Sequence, residues 1–359
     1  MATRIQRINA IWGETERIAA NPSLRMLAPM TYRPAVGGSP HRVVAVDDPA
    51  VDEDGGGTLP AASDGLYILI DGMTGHYGHF IVDVLSRLWP LVGREPGPVW
   101  LVCQPEHGRS YWERPPFLAE MLDGLDLTLD AVVSFSDPVM LPRVAIPEPS
   151  FRSLQSAHAV FGDLCRTIGR RHWTEAEVDT VTRPAYLSKS RLPTGVQRLV
   201  NESNLVAALE RQGVDILYPE TMSFAEQVKL FAQRRVVMGL TGSAFHTAPF
   251  SAPARRTIAL SGMLHLHANY ILFDAINRNH AHYYFTPGTT TFAENGFGVG
   301  WKIPDPGRVA EQMARRAENI DWIERYDVEV EAEAERRGQS LTGRLRRLRR
   351  SLLARWKPG

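Results

Sequence analysis

Hydrophobic positions along the chain follow two periods in alternation. Apolar runs of strand length occupy 66–70, 99–103 and 131–135, and helical spacing occupies 77–92 and 109–122, with an amphipathic stretch at 153–171. Arg183-Pro184 opens a second series. Its strand-like runs lie at 186–188, 214–218, 235–240 and 256–260, and its helical stretches at 202–212, 224–233 and 244–251. Ser223 and Glu226 have capping-box spacing, and Gly213 stands where a helix C-terminal glycine is expected. Strands alternating with helices predict parallel sheets covered by helices. Two such series predict an α/β protein of two doubly wound halves, 61–182 and 183–304, facing across a cleft. Ligands in such folds lie beyond the carboxyl ends of the strands and often between domains.

The two ends read differently. Residues 1–60 are broken by Pro22, Pro29, Pro34, Pro40, Pro49 and Gly55-Gly56-Gly57, which predicts an irregular extension with one short strand at 43–46. Residues 305–335 predict a long charged helix. Beyond Glu335 no acidic residue occurs, while nine cations and a Leu341, Leu345, Leu348, Leu352 stripe do. A basic amphipathic tail over 336–359 could lie on an anionic membrane surface, or be a solvated or partner-bound helix.

Charge narrows the classes. Forty Lys plus Arg balance forty Asp plus Glu, so no whole-protein nucleic-acid footprint is expected. Apolar residues make up 44%, enough for sizeable cores. Cys103 and Cys165 are the only cysteines, too few for a disulfide scaffold or a structural zinc set. The first twenty residues carry Arg4, Arg7, Glu14, Glu16 and Arg17, unlike a leader, and no apolar run has bilayer-spanning length. A cytoplasmic, reducing location is expected, either free or peripheral on the inner membrane face through the tail.

Three constellations could carry chemistry. His79, Asp83 and Arg87 recur at i, i+4 and i+8 after a glycine turn that follows the 66–70 run. A carboxylate one turn from an imidazole can make it a general base, although a bare surface pair has the same spacing. Thr241, Gly242, Ser243, Ala244 and His246 lie where the 235–240 run meets a helix start, suited to a diphosphate or carboxylate or simply to close packing. Lys189, Arg191 and Arg198 follow the 186–188 run and could clamp phosphates, while Asn201 could be the N-cap of the next helix with Glu202 beside it. Asp52-Glu53-Asp54 has D-x-D spacing but sits in a polar Gly/Pro loop and reads as solvated, as does Asp47-Asp48. Two His-x-His pairs, 265–267 and 280–282, have no acidic neighbour in sequence and read weakly as metal ligands.

Taken in order, these motifs resemble glycosyltransferase family 61, a capsular-polysaccharide type. His79-Phe80, Asp83 and Arg87-Leu88 are similar to its first motif. Tyr186-Leu187-Ser188, with Lys189 where the family has Arg, and Arg198-Leu199-Val200-Asn201-Glu202 are similar to its second. Glu220 opens a third block with Ser223-Phe224-Ala225-Glu226-Gln227, and Gly239 to Thr247 follow the last block. Thr241 stands where the family has His, and His246-Thr247 where it has Thr-Asn. The resemblance spans about 65–265. It implies two Rossmann-like domains in the GT-B arrangement and an inverting, metal-independent transferase needing no cofactor. A nucleotide-diphosphate sugar would be the donor, and a glycan or lipid-linked saccharide the acceptor. It places the base at His79 or Asp83 and the donor at Lys189, Arg191, Arg198, Glu220, Thr241, Gly242, Ser243, Ala244 and His246. The alternative is a non-catalytic carbohydrate or nucleotide binder on a degenerate scaffold. A methyltransferase is weaker, since the cation cluster would then have no purpose.

Overall fold

The computed structural model describes residues 4–27, 29–34, 42–45, 59–70, 74–103 and 115–339. The acidic loop residues 47–48 and 52–54, the start of the 109–122 stretch and the basic segment 340–359 lie outside the described residues. The chain is a mixed α/β protein built around two mostly parallel sheets. In the first, β1 (Leu66–Leu69), β2 (Val99–Val102) and β3 (Val132–Val133) run side by side, and β4 (Arg143–Pro147) returns to the far edge of β1. All four are parallel, and Leu24–Leu27 closes the β4 edge antiparallel. The second sheet has β5 (Ala185–Leu187), β6 (Asp215–Leu217), β7 (Val237–Leu240), β8 (Arg256–Ser261) and β9 (His280–Phe285) in the order β6-β5-β7-β8-β9, all parallel.

Each order contains one reversal of direction. The chain leaves β1 towards β2 and later comes back on the other side as β4. It leaves β5 towards β6 and crosses back to β7. The loops beyond β1 and β4 therefore diverge from one gap, and those beyond β5 and β7 from another. Such gaps at carboxyl ends are where open parallel sheets hold ligands.

Helices cover the sheets: α1 (Pro116–Asp123), α2 (Ala159–Gly169), α3 (Glu202–Arg211), α4 (Phe224–Gln233), α5 (Ala268–Asn277), α6 (Pro306–Glu318) and α7 (Ile323–Gln339). Ser223 Oγ accepts from Glu226 N at 3.1 Å and the Glu226 carboxylate accepts from Ser223 N at 2.7 Å, the expected box at the start of α4. Gly213 takes φ +80 just after α3, a left-handed residue that glycine adopts without strain. One apolar core holds residues of both series, joining Phe151, Phe161 and Leu164 to Phe224, Phe250 and Phe273. Phe151 and Phe273 stack with centroids 4.7 Å apart. Burial of each such ring contributes about 1.5–3 kcal/mol.

Several elements differ from the sequence pattern. The described part of residues 1–60 is not irregular: short strands at Gln6–Arg7, Ala10–Trp12, Glu16–Ile18, Leu24–Leu27, Met30–Arg33 and Arg42–Ala45 occupy it. Gln6–Arg7 pairs with β9 and Leu24–Leu27 with β4, so this segment adds strands to both sheets. Each strand is too short to show an alternation of its own. The amphipathic 153–171 stretch starts as a strand, Ser156–His158, before α2. The charged 305–335 stretch is two helices, with a 3-10 turn at Ile320–Trp322 between them. No helix among the described residues is long and apolar enough to cross a membrane.

Candidate functional site

The helical spacing over 77–92 is realised as a broken run. One α-turn at Tyr77–His79 passes into a π-turn at Phe80–Val84 and then into 3-10 turns at Leu85–Arg87 and Trp89–Leu91. Phe80, Val84, Leu88 and Leu91, at helical spacing, are buried. The polar stripe survives the π-turn: His79 Nδ1 lies 3.0 Å from Asp83 Oδ2, with both side chains more than half exposed. Single π-turns inside helices are frequent at functional sites. Arg87 is turned inward enough to donate from Nη1 to Pro147 O at 2.9 Å.

These three residues form one wall of a cavity of about 510 Å³. The other wall is the segment beyond β4, with Pro149, Phe151, Arg152 and Ser153. The cavity thus occupies the gap between the carboxyl ends of β1 and β4. Ser150 Oγ donates to Ser86 O at 2.7 Å and ties the two walls.

The equivalent gap of the second sheet lies between β5 and β7. Lys189 spans it, donating from Nζ to Thr241 O at 2.5 Å. A Cβ at Gly242 would overlap Lys189 Nζ, so glycine is what admits the ammonium. Burial pushes the Lys189 pKa down to about 8, against the opposing pull of Glu202. Glu202 is the organiser here. Its buried Oε1 accepts from Tyr186 OH at 3.2 Å, Ser188 Oγ at 3.0 Å and Lys189 N at 2.9 Å, and burial raises its pKa. Asn201 is not the side-chain cap of α3; its amide bonds Ile303 in both directions, at 2.8 and 3.2 Å.

The turns beyond β1 and β7 pack against each other. A Cβ on Gly78 would lie 3.0 Å from Ser243 Cβ and 3.5 Å from His246 Nδ1. Tyr77 OH and Thr247 Oγ1 are 2.6 Å apart. His246 stacks on Phe273 at 4.4 Å, and Phe273 stacks on the cavity residue Phe151. Burial first, then the nearby His267, His76, Lys189 and His79, push the His246 pKa down to about 3, so the ring is neutral. Its Nδ1 is enclosed without a hydrogen-bond partner. His76 packs edge-on to His79 at 4.9 Å, and desolvation lowers its pKa.

Of the residues singled out from sequence, His79, Asp83, Lys189, Thr241, Gly242, Ser243 and His246 gather at this junction, and Ala244 follows Ser243 in the 3-10 helix Ser243–Phe250. The other three are held differently. Arg191 lies 3.5 Å over the Tyr218 ring, Arg198 pairs with Glu294 at 3.3 Å, and Glu220 is exposed on a short 3-10 turn. Among the described residues, no hydrogen bond or ion pair joins these three to the 241–246 loop. Tyr77, His76, Arg152 and Phe273 were not evident from sequence spacing; only adjacency to His79 points to the first two. Among the described residues, no group of three or more His, Cys, Asp or Glu is arranged to hold a metal ion.

A family model described as Glycosyltransferase 61 matches residues 77–258, half of the chain, running from the helical turn before His79 into β8. No curated protein matches the chain. The chain belongs to glycosyltransferase family 61.

Proposed function

With membership of that family as the premise, we propose that the protein moves a sugar from a nucleotide-diphosphate donor to a saccharide acceptor, with inversion and without a metal, in the synthesis of a surface polysaccharide. Its halves act as the two Rossmann-like lobes of a GT-B transferase. The acceptor enters the cavity beyond β1 and β4, and the donor diphosphate sits beyond β5 and β7. The observation that carries this reading is the contact between the turns beyond β1 and β7. A hydrogen-bonded His79–Asp83 pair stands on one side, and a buried cation on a glycine turn stands on the other.

The chemistry follows from the atoms. Asp83 accepts from His79 Nδ1–H and leaves Nε2 as the base. The acceptor hydroxyl gives its proton to Nε2 while its oxygen bonds the anomeric carbon. The bond from that carbon to the diphosphate oxygen breaks, and the nucleoside diphosphate departs with the electron pair. Asp83 stabilises the imidazolium so formed. Lys189 and the N–H groups around Ser243 neutralise the departing phosphate, in the way charge is stabilised where it develops. Arg191 and Arg198 would join only by leaving Tyr218 and Glu294.

A non-catalytic binder is the rival, favoured by the position of Lys189 Nζ against Gly242, where it covers part of the turn. Thermal denaturation with a panel of nucleotide-diphosphate sugars tests the donor reading. A donor at one hundred times its dissociation constant should add about 2.7 kcal/mol of stability. One donor raising the melting temperature by several degrees is the expected result; a flat response across the panel overturns the reading.

A further inference from the structure

We propose that the cavity beside His79 takes an acceptor saccharide bearing an anionic group, a carboxylate or a phosphate, which Arg87 and Arg152 hold while the reacting hydroxyl meets His79. The inference rests on the transferase reading above and names the class of its acceptor.

The walls of the cavity carry the argument. Among the described residues, two guanidinium groups, Arg87 and Arg152, and one carboxylate, Asp83, line it, and Asp83 Oδ2 already faces His79 Nδ1. Arg87 is half-buried and anchored by Pro147 O at 2.9 Å, so its charge is fixed at the wall. Arg152 stands opposite, in an exposed ion pair with Glu148 at 3.2 Å. A pair of that exposure is weak enough for a ligand anion to replace. The planar fork of arginine matches carboxylate and phosphate oxygens in pairs.

A neutral sugar would be better served by an exposed aromatic face. Among the described residues, Phe151 is the phenyl ring lining the cavity, and it is 1% exposed, its ring stacked on Phe273. The remaining polar groups, Thr74 and Ser153, suit hydroxyls. The cavity therefore has the chemistry of an anion site beside a base. The anion could belong to a uronic acid residue of a glycan or to the phosphate nearest the sugar in a lipid-linked saccharide.

Calorimetry on the full chain without donor decides between these sources and tests the inference. The probes are an oligosaccharide ending in glucuronic acid, its carboxyl-reduced neutral counterpart, and a saccharide on a short water-soluble prenyl diphosphate. At least one anionic probe should bind tenfold or more tightly than the neutral one, and added salt should weaken it. The anionic probe that responds identifies the source. Arg152→Gln should reduce that affinity to the level of the neutral probe, and its exposed position keeps the fold intact. Arg87→Gln should act in the same direction. Equal affinity for all three probes, no binding of either anionic probe, or undiminished affinity in Arg152→Gln overturns the inference. Failure of the transferase reading shows separately, as the absence of any stabilising donor.

Discussion

Lys189 brings a positive charge to a position where burial opposes it. Its pKa is lowered to about 8, below the usual lysine value, so the protonated form is penalised in the folded protein. The penalty is present below pH 8 and is relieved as pH rises from there towards the unfolded lysine value. A bound diphosphate acts the other way, because it stabilises the ammonium. Affinity for a nucleoside diphosphate should therefore hold near neutrality and fall as pH rises through about 8, with proton uptake on binding in that range. Calorimetry in two buffers of different ionisation enthalpy reads both effects. Lys189→Met should be no less stable than the parent. It should lose about 10- to 100-fold in affinity, the worth of one charged hydrogen bond. A pH-independent affinity up to pH 9.5 would remove Lys189 from the phosphate site. His246, neutral with an enclosed Nδ1, can contribute only as a dipole.

At the scale of elements, the start of α4 shows how the halves are joined. Its first N–H groups are satisfied twice, by Ser223 Oγ and by the Glu120 carboxylate of α1. Glu120 accepts from Phe224 N at 3.2 Å and from Ala225 N at 2.7 Å. Glu120→Ala removes an anion from a helix N-terminus and should cost about 1–2 kcal/mol. Urea denaturation checks this, and a loss below about 0.3 kcal/mol would mean that water replaces the carboxylate. The same helix marks the limit of sequence reading. Its Ser223–Glu226 box was legible because both partners are local, whereas Glu120 was not, because its partner lies about a hundred residues away in sequence. The apolar runs 66–70, 99–103, 235–240 and 256–260 were legible as strands because they are continuous and bounded by turns. Arg143–Pro147 was missed because short strands and turns between Val139 and His158 leave no clear period. The His79–Asp83 pair was legible from spacing; Arg152 was not, since only the reversal from β1 to β4 brings it opposite. Glu202 was legible only as the neighbour of the expected cap Asn201, whereas its carboxylate organises Tyr186, Ser188 and Lys189 at once.

Across the whole molecule, one buried core joins the first sheet to α4, α5 and Phe250 of the second half, and a chain of stacked rings runs from Phe151 in the cavity through Phe273 to His246 beside the glycine turn. Gly169 contributes by closeness: a Cβ there would overlap the Phe250 backbone, so α2 can approach the 3-10 turn after β7 only with glycine at that position. This packing sets the His79–Asp83 pair relative to Lys189, the preorganisation that the proposed transfer requires. The most direct test of that relation is the rate of sugar transfer by His79→Ala and Asp83→Asn, measured beside nucleoside diphosphate affinity in the same variants. Transfer should fall by about 10²–10⁴-fold in His79→Ala, the range for loss of a general base. It should fall less in Asp83→Asn, with affinity near that of the parent in both. Transfer at the parent rate in both variants would contradict the account.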